Sequence, residues 1–168
     1  NADPSYFYDV TVLQRNIAWD KQERMRVFFK RFPNMNLRFT NVDRELAGYD
    51  LSTNNAHISV ETYYRFLIQK VLPFYDKVLY LDSDIIINGD IAKLYNIDLQ
   101  GKLLGAVRDI DFLGNLNVKH GKRMNYAKTV LKMQNPYDYF QAGVLVLNTK
   151  AMREHYTIEQ WLAYASND

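Results

Sequence analysis

Two periods of hydrophobic placement alternate along the chain, and the switches between them mark out its elements. Residues 6–13 (YFYDVTVL) read as a strand. A helix is predicted from Ala18 to Phe32, with Met25, Phe28, Phe29 and Phe32 on one face and Pro33 at its end. Leu37–Val42 (LRFTNV) alternates apolar and polar positions and predicts a second strand. Residues 43–58 are polar without a period and read as a long loop. Val60, Tyr63, Tyr64, Leu67, Ile68 and Val71 then hold helical spacing, with Ser59 placed to cap the start and Pro73 just beyond the end.

Lys77–Leu81 is an apolar run expected to form a strand buried on both faces. Asp90–Tyr95 reads as a short helical turn, and Leu103–Val107 (LLGAV) as another buried strand ending at Arg108 and Asp109. A helical stretch within residues 112–135 places Met124, Ala127 and Leu131 on one side, and Gly143–Leu147 (GVLVL) is a continuous apolar strand. Thr157 and Gln160 stand in capping-box positions, with Tyr156 and Trp161 as a hydrophobic staple. Ile158, Trp161, Leu162 and Ala165 form the buried face of that last helix. Strands alternating with helices predict an α/β domain with a mostly parallel sheet. With no repeat, low-complexity tract or linker, the reading is one domain over residues 1–168.

The apolar run at Lys77–Asn88 (KVLYLDSDIIIN) is interrupted by two carboxylates one residue apart. Burying ionised Asp82 and Asp84 in such a run is costly unless a cation compensates them. At a strand end they can share one hard divalent cation, which can in turn grip a phosphate. The plainer reading is a pair of loop-capping aspartates. Ligands of open α/β sheets gather at the carboxyl ends of strands. Asp82 and Asp84, Asp109, and the Asp138–Gly143 segment all stand at or beside such ends. If those strands are neighbours, one cleft suits a sugar joined to a diphosphate.

Composition narrows the classes. A formal net charge of +2 is too small to argue for nucleic acid or an anionic membrane as partner. The absence of cysteine excludes disulfides, thiolate zinc sites and thiol nucleophiles. No apolar run reaches spanning length, so no transmembrane segment is expected in this chain. A soluble, intracellular protein is the default expectation. Thirteen tyrosines (13 Tyr) fit a sugar- or base-binding cleft and equally a core–water boundary.

Four segments then occur in order: HISVETYYR (His57–Arg65), KVLYLDSDIIINGDI (Lys77–Ile91), LGAVRD (Leu104–Asp109) and YFQAGVLVLN (Tyr139–Asn148). Together they resemble the retaining family 8 glycosyltransferases, which include bacterial galactosyl- and glucosyltransferases of lipopolysaccharide assembly and glycogenin. A lone D-x-D is a weak signal; D-x-D after an apolar strand with F-x-A-G-V-L downstream is a strong one. The resemblance runs from about Tyr6 to Trp161. It implies a GT-A fold, a UDP-sugar donor (UDP-galactose or UDP-glucose), a saccharide acceptor and Mn²⁺ or Mg²⁺. By matching position, Asp82 and Asp84 would ligate the metal and Ser83 would lie near the nucleotide. Ile58 would border the base, and Arg65 would support the donor site. Asp109, Gln141 and the backbone around Ala142 would hold the transferred sugar, and His57 would line the acceptor side.

Plainer readings stand beside these: Arg65 as a surface helix residue, Asp109 as the cap of the following helix, His57 as a loop histidine without a ligand. The chain also departs from the family pattern. Gln141 stands where the family usually has Asn. The family's first strand with its base-binding acidic residue, its Asp-Gln pair, and its late His-x-x-Gly-x-x-Lys-Pro-Trp segment are absent, and His120 and His155 lie in unrelated contexts. The resemblance therefore implies a central fragment, truncated at both ends, of a cytoplasmic enzyme peripheral to the inner membrane. The alternatives are an inactive scaffold that self-associates through an exposed apolar patch, and a haloacid-dehalogenase-type phosphatase. The latter class carries Thr where this chain has Ile86.

Overall fold

The computed structural model describes residues 2–49 and 60–166, without the side chains of residues 164–166. The predicted loop and cap positions from 50 to 59, including Ser59, lie outside the described residues. Strand β1 (Tyr8–Gln14) leads into helix α1 (Trp19–Phe29), then β2 (Met35–Asn41) and a short helix α2 (Asp43–Leu46) inside the segment expected to be loop. A 3₁₀ turn at Val60–Tyr63 opens into α3 (Tyr64–Val71), followed by β3 (Val78–Leu81), α4 (Ala92–Tyr95) and β4 (Leu104–Arg108). Helices α5 (Ile110–Gly114) and α6 (Arg123–Asn125, continued by a π turn at Tyr126–Val130) precede β5 (Phe140–Leu147). Helices α7 (Thr149–His155) and α8 (Ile158–Ser166) close the chain.

The α/β expectation holds, and the mostly parallel sheet is corrected. β1 and β2 form a parallel pair, whereas β5 lies antiparallel between β3 and β4 in a separate sheet. β3 and β4, both antiparallel to β5, run parallel to each other, so the departure in this sheet lies in the direction of β5 between them. Alternation of strands and helices along the chain does not reveal which way a central strand runs.

Two clusters fill the core around α3. Val42, Leu46, Tyr64, Leu67, Ile158 and Leu162 form one, and Ile68, Leu145, Leu147 and Met152 the other, with Leu13 of β1 packed against both. The capping box of α8 forms as its spacing predicts: Thr157 N–H donates to Gln160 Oε1 at 2.8 Å, and Gln160 N–H to Thr157 Oγ1 at 3.2 Å. The staple rings of Tyr156 and Trp161 lie 4.7 Å apart. Helix α7 carries no periodic signal, because Met152 is its only large apolar residue in seven; Asn148 caps it by accepting from Ala151 N–H.

Two burial expectations, for β4 and β3, are corrected, and the apolar face predicted on α1 stays unburied. No residue of α1 is buried; Phe28, Phe29 and Phe32 pack edge-on against one another while Phe28 stays half exposed. β4 is an edge strand, so Val107 is 55% exposed instead of buried. β3 is half-buried along its length, because its second edge opens onto a cavity of about 560 Å³ bounded across by Val10–Leu13 of β1. Among the described residues neither β1 nor β3 has a strand on that side.

Candidate active site at the end of strand β3

Strand alternation builds this site. Side chains two residues apart share a face, so Tyr80 and Asp82 point the same way from β3. The Tyr80 hydroxyl donates to Asp82 Oδ1 at 2.6 Å. The antiparallel register pairs Leu81 with Val144, and Asp82 N–H continues the ladder to the Gly143 carbonyl at 2.8 Å. Gly143 therefore stands opposite Asp82. A Cβ on Gly143 would lie 2.7 Å from Asp82 Oδ2 and 3.0 Å from Gln141 Oε1, so both side chains occupy the space the glycine leaves. Gln141 Oε1 accepts from Gly143 N–H there at 2.5 Å.

Arg65 reaches the same place from α3. Its guanidinium donates to the Thr62 carbonyl at 2.8 Å and the Ala142 carbonyl at 2.5 Å, and lies 3.4 Å from Asp82 Oδ1. It also sits 4.8 Å from the centre of the Tyr80 ring. With a side chain only 13% exposed, Arg65 is not a surface helix residue. Its charge balances Asp82 and joins α3 to β3 and β5. Burial, and next the hydrogen bond donated to Asp82, push the Tyr80 phenol up to about 12. The hydroxyl is therefore a donor throughout the neutral range.

Arg65, Asp82, Ser83 and Asp84 all line the cavity between β1 and β3. Ser83 and Asp84 are exposed at its mouth, and the Asp82 side chain is 35% exposed. Asp109 stands past the end of β4, at the same end of the sheet as Asp82 and on the other side of β5. Its N–H donates to the Tyr139 carbonyl at 3.1 Å, beside β5, and its Oδ1 accepts from Phe112 N–H at 2.8 Å as the cap of α5. The helix-capping reading of Asp109 is thus what its contacts show, with Oδ2 left for other work. His57 and Ile58 lie outside the described residues.

Oxygen ligands of this hardness suit Mg²⁺ or Mn²⁺. Among the described residues no group of three His, Cys, Asp or Glu gathers where it could hold a metal. Two carboxylates still fit the commoner arrangement, in which one or two protein ligands hold the ion and substrate phosphates and water complete it. Tyr80 joins the site without having been expected there from the sequence, and Gly143, expected only as the end of the Asp138–Gly143 segment, takes a place of its own opposite Asp82. The alternation of β3 is a signal that could flag Tyr80; Gly143 needs the strand register.

The description "Glycosyl transferase family 8" belongs to the family model that matches residues 3–168. The chain belongs to that family. It is 32% identical over 133 residues to the glycosyltransferase GlyF of Streptococcus pneumoniae serotype 4, covering 79% of this chain and 28% of that protein. Among solved structures, the apo bifunctional glycosyltransferase WbbM superposes with a TM-score of 0.83 at 31% identity, over 96% of this chain and 29% of that one. The galactosyltransferase LgtC, solved with donor and acceptor sugar analogues, gives 0.65 at 28% identity, over 92% of this chain and 53% of that one. The GT-A fold is shared with these neighbours. The chain spans between about a quarter and about a half of the length of these relatives. Family membership sets aside the phosphatase alternative. No helix among the described residues is long and apolar enough to cross a membrane.

Proposed function

We propose that the protein transfers a hexose from UDP-galactose or UDP-glucose to a saccharide hydroxyl, with retention at the anomeric carbon and in dependence on Mn²⁺ or Mg²⁺. The observation that carries this reading is the convergence of Arg65, Asp82, Ser83 and Asp84 on one cavity at the end of β3, in a family 8 chain. The complex of LgtC with donor and acceptor sugar analogues supports a two-sugar site.

Asp82 and Asp84 would hold the cation, and Ser83 would approach the nucleotide. When bound, the cation neutralises the diphosphate and eases its departure. Arg65 fixes Asp82 and the Ala142 carbonyl relative to each other. Gln141, and Asp109 through Oδ2, would orient hydroxyls of the transferred sugar, with Ala142 supplying backbone groups. Ile58 would border the base and His57 the acceptor. Attack on the face the leaving group departs from, with the donor's own phosphate taking the acceptor proton, asks for no covalent nucleophile. A place in lipopolysaccharide or other cell-surface glycan synthesis, peripheral to the inner membrane, accords with this chemistry.

The test incubates the protein with each UDP-hexose, Mn²⁺ and saccharide acceptors, following UDP release and the anomeric configuration of the product by NMR. Release that stops with EDTA and in Asp84→Asn, with a retained anomeric centre, is expected. Undiminished release in EDTA, or an inverted product, would overturn the proposal.

A further inference from the structure

We infer that Tyr80 and Gly143 are positioning residues that together seat the Asp82 carboxylate, Tyr80 by holding Oδ1 and Gly143 by leaving room for Oδ2. This rests on the reading of Asp82 as a metal ligand and extends it to two residues that act through their contacts with Asp82.

A carboxylate at a strand end has two freedoms, rotation about its Cα–Cβ bond and rotation of the carboxylate plane, and a metal ligand must give up both. The hydroxyl of Tyr80 and the guanidinium of Arg65 both address Oδ1, at 2.6 and 3.4 Å. Oδ1 is thereby turned towards β3 and α3, and the plane of the group is fixed. The other oxygen lies over Gly143, where even a methyl group would approach to 2.7 Å. The backbone on either side is clamped, since Asp82 N–H bonds to the Gly143 carbonyl at 2.8 Å. Asp82 cannot retreat from an added Cβ by a backbone shift without breaking that bond, nor by rotating without losing Tyr80. Gly143 shows no left-handed φ, so the demand for glycine here is one of space and not of backbone conformation.

The Tyr80 ring packs against the cluster of Ile68, Leu145, Leu147 and Met152, which holds the hydroxyl in place. Tyr80→Phe keeps that packing and the face presented to Arg65 while removing only the donor. Outer contacts of this kind typically change metal affinity by about 10- to 100-fold.

The experiment titrates Mn²⁺ into the protein with saturating UDP and reads free Mn²⁺ by EPR, alongside far-UV circular dichroism in EDTA. Tyr80→Phe is expected to weaken Mn²⁺ binding by about tenfold, and Gly143→Ala by at least as much, with the spectrum in EDTA unchanged. A merely structural role would alter the spectrum or the melting curve and leave the Mn²⁺ affinity of the folded chain alone. Mn²⁺ affinity within twofold of wild type in both variants overturns the inference. Asp82→Asn separates the two levels. If it loses Mn²⁺ while both other variants keep it, only the seat is wrong; if it also keeps Mn²⁺, the metal reading falls and the inference with it.

Discussion

Helix α3 buries Leu67 and Ile68 to 0% and 2% exposure, whereas α1 leaves Phe28 at 50% and Trp19 at 73%. The same i, i+3, i+4 spacing of apolar residues predicts both helices. The difference lies in what surrounds them. Helix α3 packs against α7 and α8 and touches two core clusters, while among the described residues α1 packs mainly on β2 of the two-stranded ribbon. Periodicity reports which face of a helix is apolar; the number of layers around it decides whether that face is buried. The candidate site grows out of the well-packed side. Arg65 is carried on α3, and Asp82 and Gly143 are held in the β3–β5 ladder behind it.

The contrast breaks most visibly by truncation. Leu67→Ala should destabilise the fold by about 2–5 kcal/mol, and Trp19→Ala should shift it by no more than about 0.5 kcal/mol, both by urea denaturation. Equal losses would mean that α1 is built into the core as firmly as α3. Next in size, Arg65→Met should cost about 1.5–3 kcal/mol, because it strips charged donors from the Ala142 and Thr62 carbonyls and leaves Asp82 without its cation. Loss of stability below about 0.5 kcal/mol would show that Arg65 is not a tie between layers. Smaller again, Thr157→Ala should cost about 1 kcal/mol by removing the cap of α8.

The smallest effect at neutral pH comes from Tyr64 on α3. Burial, and next the charge of Glu61, raise its phenol from the ordinary value of 10.0 to about 12. A group whose pKa is raised in the folded state contributes its stability below the unfolded value and loses it as the pH climbs through the folded one. The denaturation midpoint should therefore fall between pH 10 and about 12, and less steeply in Tyr64→Phe. An identical slope in that variant would place the alkaline transition elsewhere.

Much of the fold is legible where a signal is local. The capping box and staple of α8, the helix at Tyr64–Val71 and the strand at Val78–Leu81 each follow from spacing within a few residues. Strand direction is not, because it is set by which strands pair in space, and β5 inserts antiparallel between β3 and β4, which are far from it in sequence or separated from it by several short helices. The same division runs through the site. Asp82 and Asp84 announce themselves as charges in an apolar run. Their convergence with Arg65 on one cavity can be expected only through family resemblance. The sequence marks Gly143 only as the end of the Asp138–Gly143 segment; its particular place opposite Asp82 comes from the strand register. Asp109 shows the opposite case: its capping bond to Phe112 is local and legible, while any contact with sugar depends on a partner outside the chain.

The central claim is that Asp82 and Asp84 bind a sugar nucleotide through a shared divalent cation. Isothermal titration of UDP into the protein, with Mn²⁺ and then with EDTA, tests it most directly. The account predicts binding that requires Mn²⁺ and disappears in Asp84→Asn; UDP binding of equal strength in EDTA, or undiminished in that variant, would contradict it.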